Sequence, residues 1–244
     1  MANFGKVVFI SGSTSGIGKA VSTRFVNDGY TVIQNSRNEI NKKDQLGDKH
    51  IQGDVTNYKT CLEIIESIKA EYGRLDVLVC NVGKGTALDT NIALEERWSY
   101  FLSNNLLSTT FLVESALPLL IKSKGNVVAI SSICGSSFIK GAPVEYSVAK
   151  AALNMYIKSM AFKHANSGIR FNVVSPGNVM FEGSTWHNKV KNNEELVTKF
   201  ISENVPMGKF IEPEAVADAV QFLASGNSNF TTGVELNIDG GQSL

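Results

Sequence analysis

The chain has little of what a metal site or a disulfide framework needs. Among 244 residues there are three cysteines (Cys61, Cys80, Cys134) and three histidines. The cysteines are an odd, scattered set without a Cys-x-x-Cys pair, and no Cys/His cluster stands at ligand spacing. No disulfide scaffold and no metal are expected, and reduced thiols point to a cytoplasmic protein. Charge of one sign is not in excess either, since 23 basic and 23 acidic side chains balance. That argues against nucleic acid or an anionic membrane surface as partner. No run approaches about 18 apolar residues, so no membrane span is expected. The opening MANFGKVVFISGS leads straight into a strand-like segment without an apolar signal core.

Hydrophobic residues, at 43%, are ample for a core, and the length suits one large α/β domain. Short β-branched runs at 6–11, 31–36, 50–55, 75–81, 126–132, 170–175 and 234–239 predict seven strands. Helical patterns at 16–28, 59–72, 94–123, 145–166 and 213–225 lie between them. That alternation implies βαβ units and a doubly wound, Rossmann-type parallel sheet with helices on both faces. The runs are mostly apolar rather than alternating, as strands covered on both faces are. Residues 1–244 read as a single domain. The polar and aromatic segment 178–208 interrupts the alternation and is expected to form a substrate lid, with a helix of its own.

After the first strand comes SGSTSGIG, residues 11–18. Gly12 suits a tight turn, Gly16 a close backbone approach, and Gly18 tight helix–sheet packing. The N-terminus of the following helix would offer free N–H groups to a diphosphate. A glycine loop by itself is equally a tight turn; its place after the first strand of a parallel α/β pattern favours a dinucleotide. At the end of the second strand, where a carboxylate would select NAD(H), Ser36 and Arg37 stand instead. A guanidinium suits a phosphate, so NADP(H) is the preferred cofactor, with NAD(H) possible.

EYSVAK, residues 145–150, places Tyr146 and Lys150 four apart, on one helix face. An ammonium about 4.5 Å from a phenol, in an effective dielectric of about 20, favours the phenolate by about 3–4 kcal/mol. That is between about two and three pKa units, with desolvation opposing it. In isolation such a pair is an ordinary amphipathic face. Upstream, Ser132 in AISSICG (129–135) closes the strand predicted over 126–132, where it is placed to hydrogen-bond a substrate oxygen.

With these motifs in order, the chain resembles the short-chain dehydrogenase/reductase family, in its shorter single-domain branch, over essentially its whole length. SGSTSGIG matches the cofactor glycine motif, which assigns Gly12, Ser13, Ser15, Gly16, Ile17 and Gly18 to the cofactor. GDV (53–55) resembles the adenine-contacting turn through Asp54 and Val55. CNVG (80–83) keeps Asn81 and Gly83 of the usual Asn-Asn-Ala-Gly. Asn105 in SNNLLS (103–108) falls on the family's catalytic asparagine. SPGNV (175–179) matches the nicotinamide-holding segment through Pro176, Gly177 and Val179, and IDGG (238–241) the C-terminal signature. Met180-Phe181 stand where the family often has a cofactor-touching Thr, and the stretch from Arg37 to Asp54 is short for the usual helix there.

The resemblance implies hydride transfer between a nicotinamide and a small carbonyl or alcohol substrate. Tyr146 would be the general acid or base, Lys150 its tuner and ribose ligand, Ser132 the holder of the substrate oxygen, and Asn105 the holder of a relay water. It also implies a homotetramer built through the two long helices and the last strand. The alternative is a catalytically idle dinucleotide-binding or scaffold protein of the same fold. Of the other conspicuous residues, His50 and His164 read as surface groups, Cys134 as a small core filler near the pocket, and Trp186 and His187 as lid residues.

Overall fold

A computed structural model describes residues 5–244; residues 1–4 of the opening stretch lie outside the described residues. The seven strands are β1 (Val7–Ile10), β2 (Thr31–Ser36), β3 (Lys49–Gln52), β4 (Val77–Cys80), β5 (Asn126–Ile130), β6 (Arg170–Pro176) and β7 (Glu235–Ile238). They form one sheet in the order β3-β2-β1-β4-β5-β6-β7, and every pairing is parallel. The order reverses between β1 and β4, which opens a crevice at the carboxyl ends of the strands.

Helices α1 (Gly16–Asn27) and α8 (Pro213–Ala224) cover one face of the sheet. Helices α2 (Tyr58–Tyr72), α4 (Ser108–Ser123) and α5 (Val144–His164) cover the other. The central strands β1 and β4 are therefore buried along their whole length. Val8, Ile10 and Val79 point into the α1/α8 layer, while Val7, Phe9 and Leu78 point into the opposite one. Phe9, Phe171, Leu112 and Leu120 are fully buried, each worth about 1.5–3 kcal/mol over an exposed position. This core holds the strand ends, and the residues beyond them, in fixed register.

The expected helix over 94–123 is one continuous helical run, but not a uniform one. Helix α3 (Leu94–Leu102) passes through a π turn at Ser103–Leu107 into α4. Taken as one helix, the run is long and apolar enough to cross a membrane, although its apolar residues are interrupted by polar ones. Its apolar face, Leu112, Val113, Ala116, Leu119 and Leu120, is packed on the sheet.

Two segments depart from simple βαβ alternation. Between β2 and β3 the connection forms only a 3-10 turn, Lys42–Asp44, as its length implied. Beyond β6 stand two helices rather than one, α6 (Thr185–Asn192) and α7 (Glu194–Asn204). They carry a small core of their own in which Trp186 lies 4.6 Å, centroid to centroid, from both Phe200 and Phe210.

Candidate active site

The glycine loop leaves β1 at Ser11 and is stitched down on two sides. Ser13 is fully buried; its Oγ donates to the Asn35 carbonyl at 3.2 Å and accepts from the Asn35 N–H at 2.8 Å. The Ser13 hydroxyl is thus tied to β2. On the other side, the Asn81 amide donates to the carbonyls of Ser11 and Gly12 at 3.2 and 2.9 Å. Gly12 and Gly16 adopt positive φ, at 61° and 50°. A β-carbon on Gly18 would meet the Gly12 carbonyl oxygen at 2.2 Å, so only glycine lets α1 start this close to the loop. Ser15 caps α1 without a side-chain bond. A groove lined by Ser15, Gly16, Lys19, Phe181, Glu182 and Pro213 opens next to it.

Farther along the same edge, Ser36 ends β2. Its Oγ donates to the Asn38 carbonyl at 2.7 Å and meets His50 Nε2 at 2.9 Å. Arg37 is exposed, and its guanidinium has no partner. Asp54 closes its own turn by accepting from Thr56 N–H and Oγ1, which fixes the buried Val55 behind it. His50 is therefore not the surface group its sequence context implied: parallel pairing of β3 on β2 turns it toward Ser36. His164 is likewise part-buried, its ring 6.0 Å from Phe171.

The Tyr/Lys pair sits across the crevice on α5. Lys150 is 2% exposed, and its Nζ donates to the Ile130 carbonyl at 2.8 Å. Asn105, fully buried in the π turn, grips the backbone of Lys84 from both sides: its Oδ1 accepts from Lys84 N–H at 2.9 Å and its Nδ2 donates to Lys84 C=O at 3.1 Å. Asn104 instead turns back to the Tyr100 carbonyl. Between these groups lies Gly83. A β-carbon there would stand 3.0 Å from Asn105 Oδ1 and 3.1 Å from Lys150 Nζ. Gly85 runs under the Tyr146 ring, 3.3 Å from Cζ by the same measure. Ser132 caps a 3-10 turn, its Oγ accepting from the Cys134 N–H at 3.2 Å, and its hydroxyl stands close enough to Tyr146 to favour the phenolate. Cys134 is half-buried beside this pair rather than in the core. The structure thus brings Asn105, Ser132 and the Tyr146/Lys150 pair together from three separate parts of the chain.

The electrostatics differ from the expectation based on charge alone. Burial pushes the Tyr146 phenol up to about 12, against the lowering effect of the Ser132 hydroxyl. Burial likewise brings the Lys150 ammonium down to about 7. Lys150 Nζ is held 5.9 Å from the Tyr146 ring centroid. In the free chain burial is the largest influence on the Tyr146 phenol and raises it.

At the end of β6, Val179 forms an isolated bridge with Ile211. The bonds run from Ile211 N–H to Asn178 C=O and from Met180 N–H to Ile211 C=O, at 3.0 and 2.8 Å. The N–H and C=O of Val179 itself therefore point the other way. Pro176 and Gly177 carry the chain there; Gly177 leaves no room for a side chain, since a β-carbon would lie 2.8 Å from Gln242 Oε1. Phe181 then crosses back over the glycine loop, and Thr185 at the start of α6 touches Thr86 at 3.3 Å.

These residues fit a dinucleotide. The α1 N-terminus lacks a side-chain cap, Gly83 keeps a β-carbon out from between Lys150 and Asn105, the Val179 amide groups are unpaired, and the Arg37 guanidinium is free. His50 and Gly85, which runs under the Tyr146 ring, carry no local signal in the sequence, because strand register brings in the one and the loop path the other.

Comparison with known proteins agrees with this geometry. Residues 12–243 match the family model described as enoyl-(acyl carrier protein) reductase. The chain is 34% identical over 245 residues to the 3-oxoacyl-(acyl-carrier-protein) reductase FabG of Buchnera aphidicola, covering 97% of this chain and 96% of the relative. Among solved structures it is similar to the aldohexose dehydrogenase of Thermoplasma acidophilum, with a TM-score of 0.86 and 32% identity over 99% of this chain and 96% of that one. It is similar also to ElxO with NADP bound, with a TM-score of 0.87 and 32% identity over 97% and 98% of the two chains. The chain belongs to the short-chain dehydrogenase/reductase family, as an oxidoreductase that uses a nicotinamide dinucleotide and acts on alcohol and carbonyl groups.

Proposed function

We propose that the protein reduces a small carbonyl substrate, or oxidises the matching alcohol, with NADP(H) preferred over NAD(H) and Tyr146 as the proton-transfer group. The observation that carries this is the convergence of Ser132, Tyr146 and Lys150 beside Gly83 and Asn105. In this reading the bound cofactor supplies or accepts the hydride. In the reducing direction the Tyr146 hydroxyl gives its proton to the substrate oxygen, leaving phenolate. The Ser132 hydroxyl holds that oxygen and donates to the charge that develops on it. Lys150, charged when ribose hydroxyls and the phenolate surround it, stabilises the phenolate and passes a proton back from solvent. Asn105 keeps Gly83 and Lys84 in place along this path. A charged Lys150 beside the phenolate would oppose the rise that burial imposes on the Tyr146 phenol.

The first turn of α1, Asn81, Asp54 and Val55, Pro176, Gly177 and the unpaired Val179 amide groups are the cofactor's contacts in this reading. Helices α6 and α7 form the lid over the substrate. Trp186 belongs to the lid's own core, so the substrate-facing surface is the Thr185 end next to Thr86. Three unpaired thiols accord with a reducing compartment such as the cytoplasm. Relatives named for sugars and for acyl-carrier substrates leave two substrate classes to compare. A panel of aldoses, 3-oxoacyl thioesters, simple ketones and alcohols, followed by nicotinamide absorbance with NADPH and NADH, tests the reading. Turnover in one class identifies the substrate; firm cofactor binding without turnover on any of them would instead indicate an idle binding protein.

A further inference from the structure

We infer that His50, acting through the Ser36 hydroxyl, is a specificity-determining residue that selects a phosphate monoester on the adenosine ribose of the cofactor. This rests on the dinucleotide reading above and deepens it. The hydroxyl of Ser36 has one proton, and that proton goes to the Asn38 carbonyl at 2.7 Å. The 2.9 Å contact with His50 must then have the imidazole Nε2–H as donor and Ser36 Oγ as acceptor. A phosphate oxygen, which only accepts, competes with the Asn38 carbonyl for the serine proton. When it wins, a chain of donors runs from His50 through Ser36 to the phosphate, each bond polarising the next. Arg37, adjacent and with its guanidinium unpaired while its carbonyl accepts from Gln52 at 3.1 Å, supplies the charge and further N–H groups.

The arrangement depends on tertiary features. The Gln34↔His50 and Ser36↔Gln52 pairs put the three side chains Gln34, His50 and Ser36 on one face of the β2/β3 edge. Only a 3-10 turn occupies the connection above that face, and Gln34 pins it by accepting from the N–H groups of Leu46 and Gly47 at 2.8 and 3.1 Å. Among the described residues no carboxylate accepts a hydrogen bond from Ser36 or His50; Glu39 acts on His50 through its charge alone. Ser36 therefore has no bonded carboxylate beside it that would reward a bare ribose hydroxyl.

Equilibrium titration of NADPH and NADH by cofactor fluorescence tests this on the full chain, with wild type, His50→Ala, His50→Gln and Arg37→Ala. A melting curve of each variant without cofactor checks that it is folded. His50→Ala is expected to weaken NADPH about fivefold, the size of one hydrogen bond, with NADH shifted less than twofold. His50→Gln, which restores an N–H donor, is expected to recover most of the loss. Equal weakening of both cofactors by His50→Ala, or no change in their ratio, overturns the assignment while leaving the enzyme reading standing. Failure of the wild type to bind either dinucleotide overturns the reading beneath it as well.

Discussion

The ring of Phe181 lies directly on Gly16: a β-carbon added to that glycine would meet ring atoms Cζ and Cε2 at 2.6 and 2.7 Å. The residue that replaces a polar side chain after Pro-Gly thus seals the rim of the glycine loop through packing. Gly16 also holds φ at 50°, which costs a residue with a β-carbon about 1–2 kcal/mol. Gly16→Ala is expected to lower stability by more than this, because the ring must move as well. In a Phe181→Ala background only the backbone part remains. Urea unfolding of the four proteins should give a coupling of about 1 kcal/mol between the two sites. Additive effects would mean that the ring yields freely.

Tyr146→Phe keeps the ring over Gly85 and removes only the hydroxyl. Turnover is expected to fall by at least about 100-fold, with little change in NADPH dissociation constant. Measuring both constants on any substrate found separates proton transfer from packing, because a bystander phenol would leave kcat near wild type.

Lys150 is a buried cation whose pKa is lowered by burial from 10.5 to about 7. Between these values the unfolded chain holds a proton that the folded chain has released, so this group makes stability rise with pH. Its contribution is complete above about 10.5 and is lost as pH falls through about 7. Lys150→Met removes both the proton and the desolvation cost. The variant is expected to be inactive yet at least as stable as wild type at pH 7, with a shallower rise between pH 7 and 9. Chemical denaturation across that window reads the slope; a variant less stable by several kcal/mol would show that the ammonium supports the fold.

Helices α3 and α5 expose Leu94, Val144, Val148, Met155 and Phe162, the last at 91%. Surfaces of this kind are expected to be covered by further copies of the chain. Light scattering at micromolar concentration should give about four times 26.4 kDa. Phe162→Glu together with Met155→Glu should shift the mass downward, whereas a wild-type monomer would contradict the assembly.

Much of this protein was determined by local pattern. All seven strands overlap the runs that predicted them; the inner strands, buried on both faces, announce themselves as short apolar segments, whereas the edge strands β3 and β7 hold no buried residue. Tyr146 and Lys150 share a face because helical periodicity requires it. The Ser36–Arg37 edge and the short connection after it could also be read from the chain, since the signal is which residue follows a strand and how many residues remain. Tertiary structure decided the rest. His50 reaches Ser36 only through the parallel register of β3 on β2, which depends on a connection of no regular pattern. Phe181 meets Gly16 across 165 positions of chain that no period relates. The protonation of Tyr146 and Lys150 is set by how completely the fold removes water from them. Spacing reports that two groups are near each other; desolvation depends on every element packed around them, and at this site it is the largest influence on both.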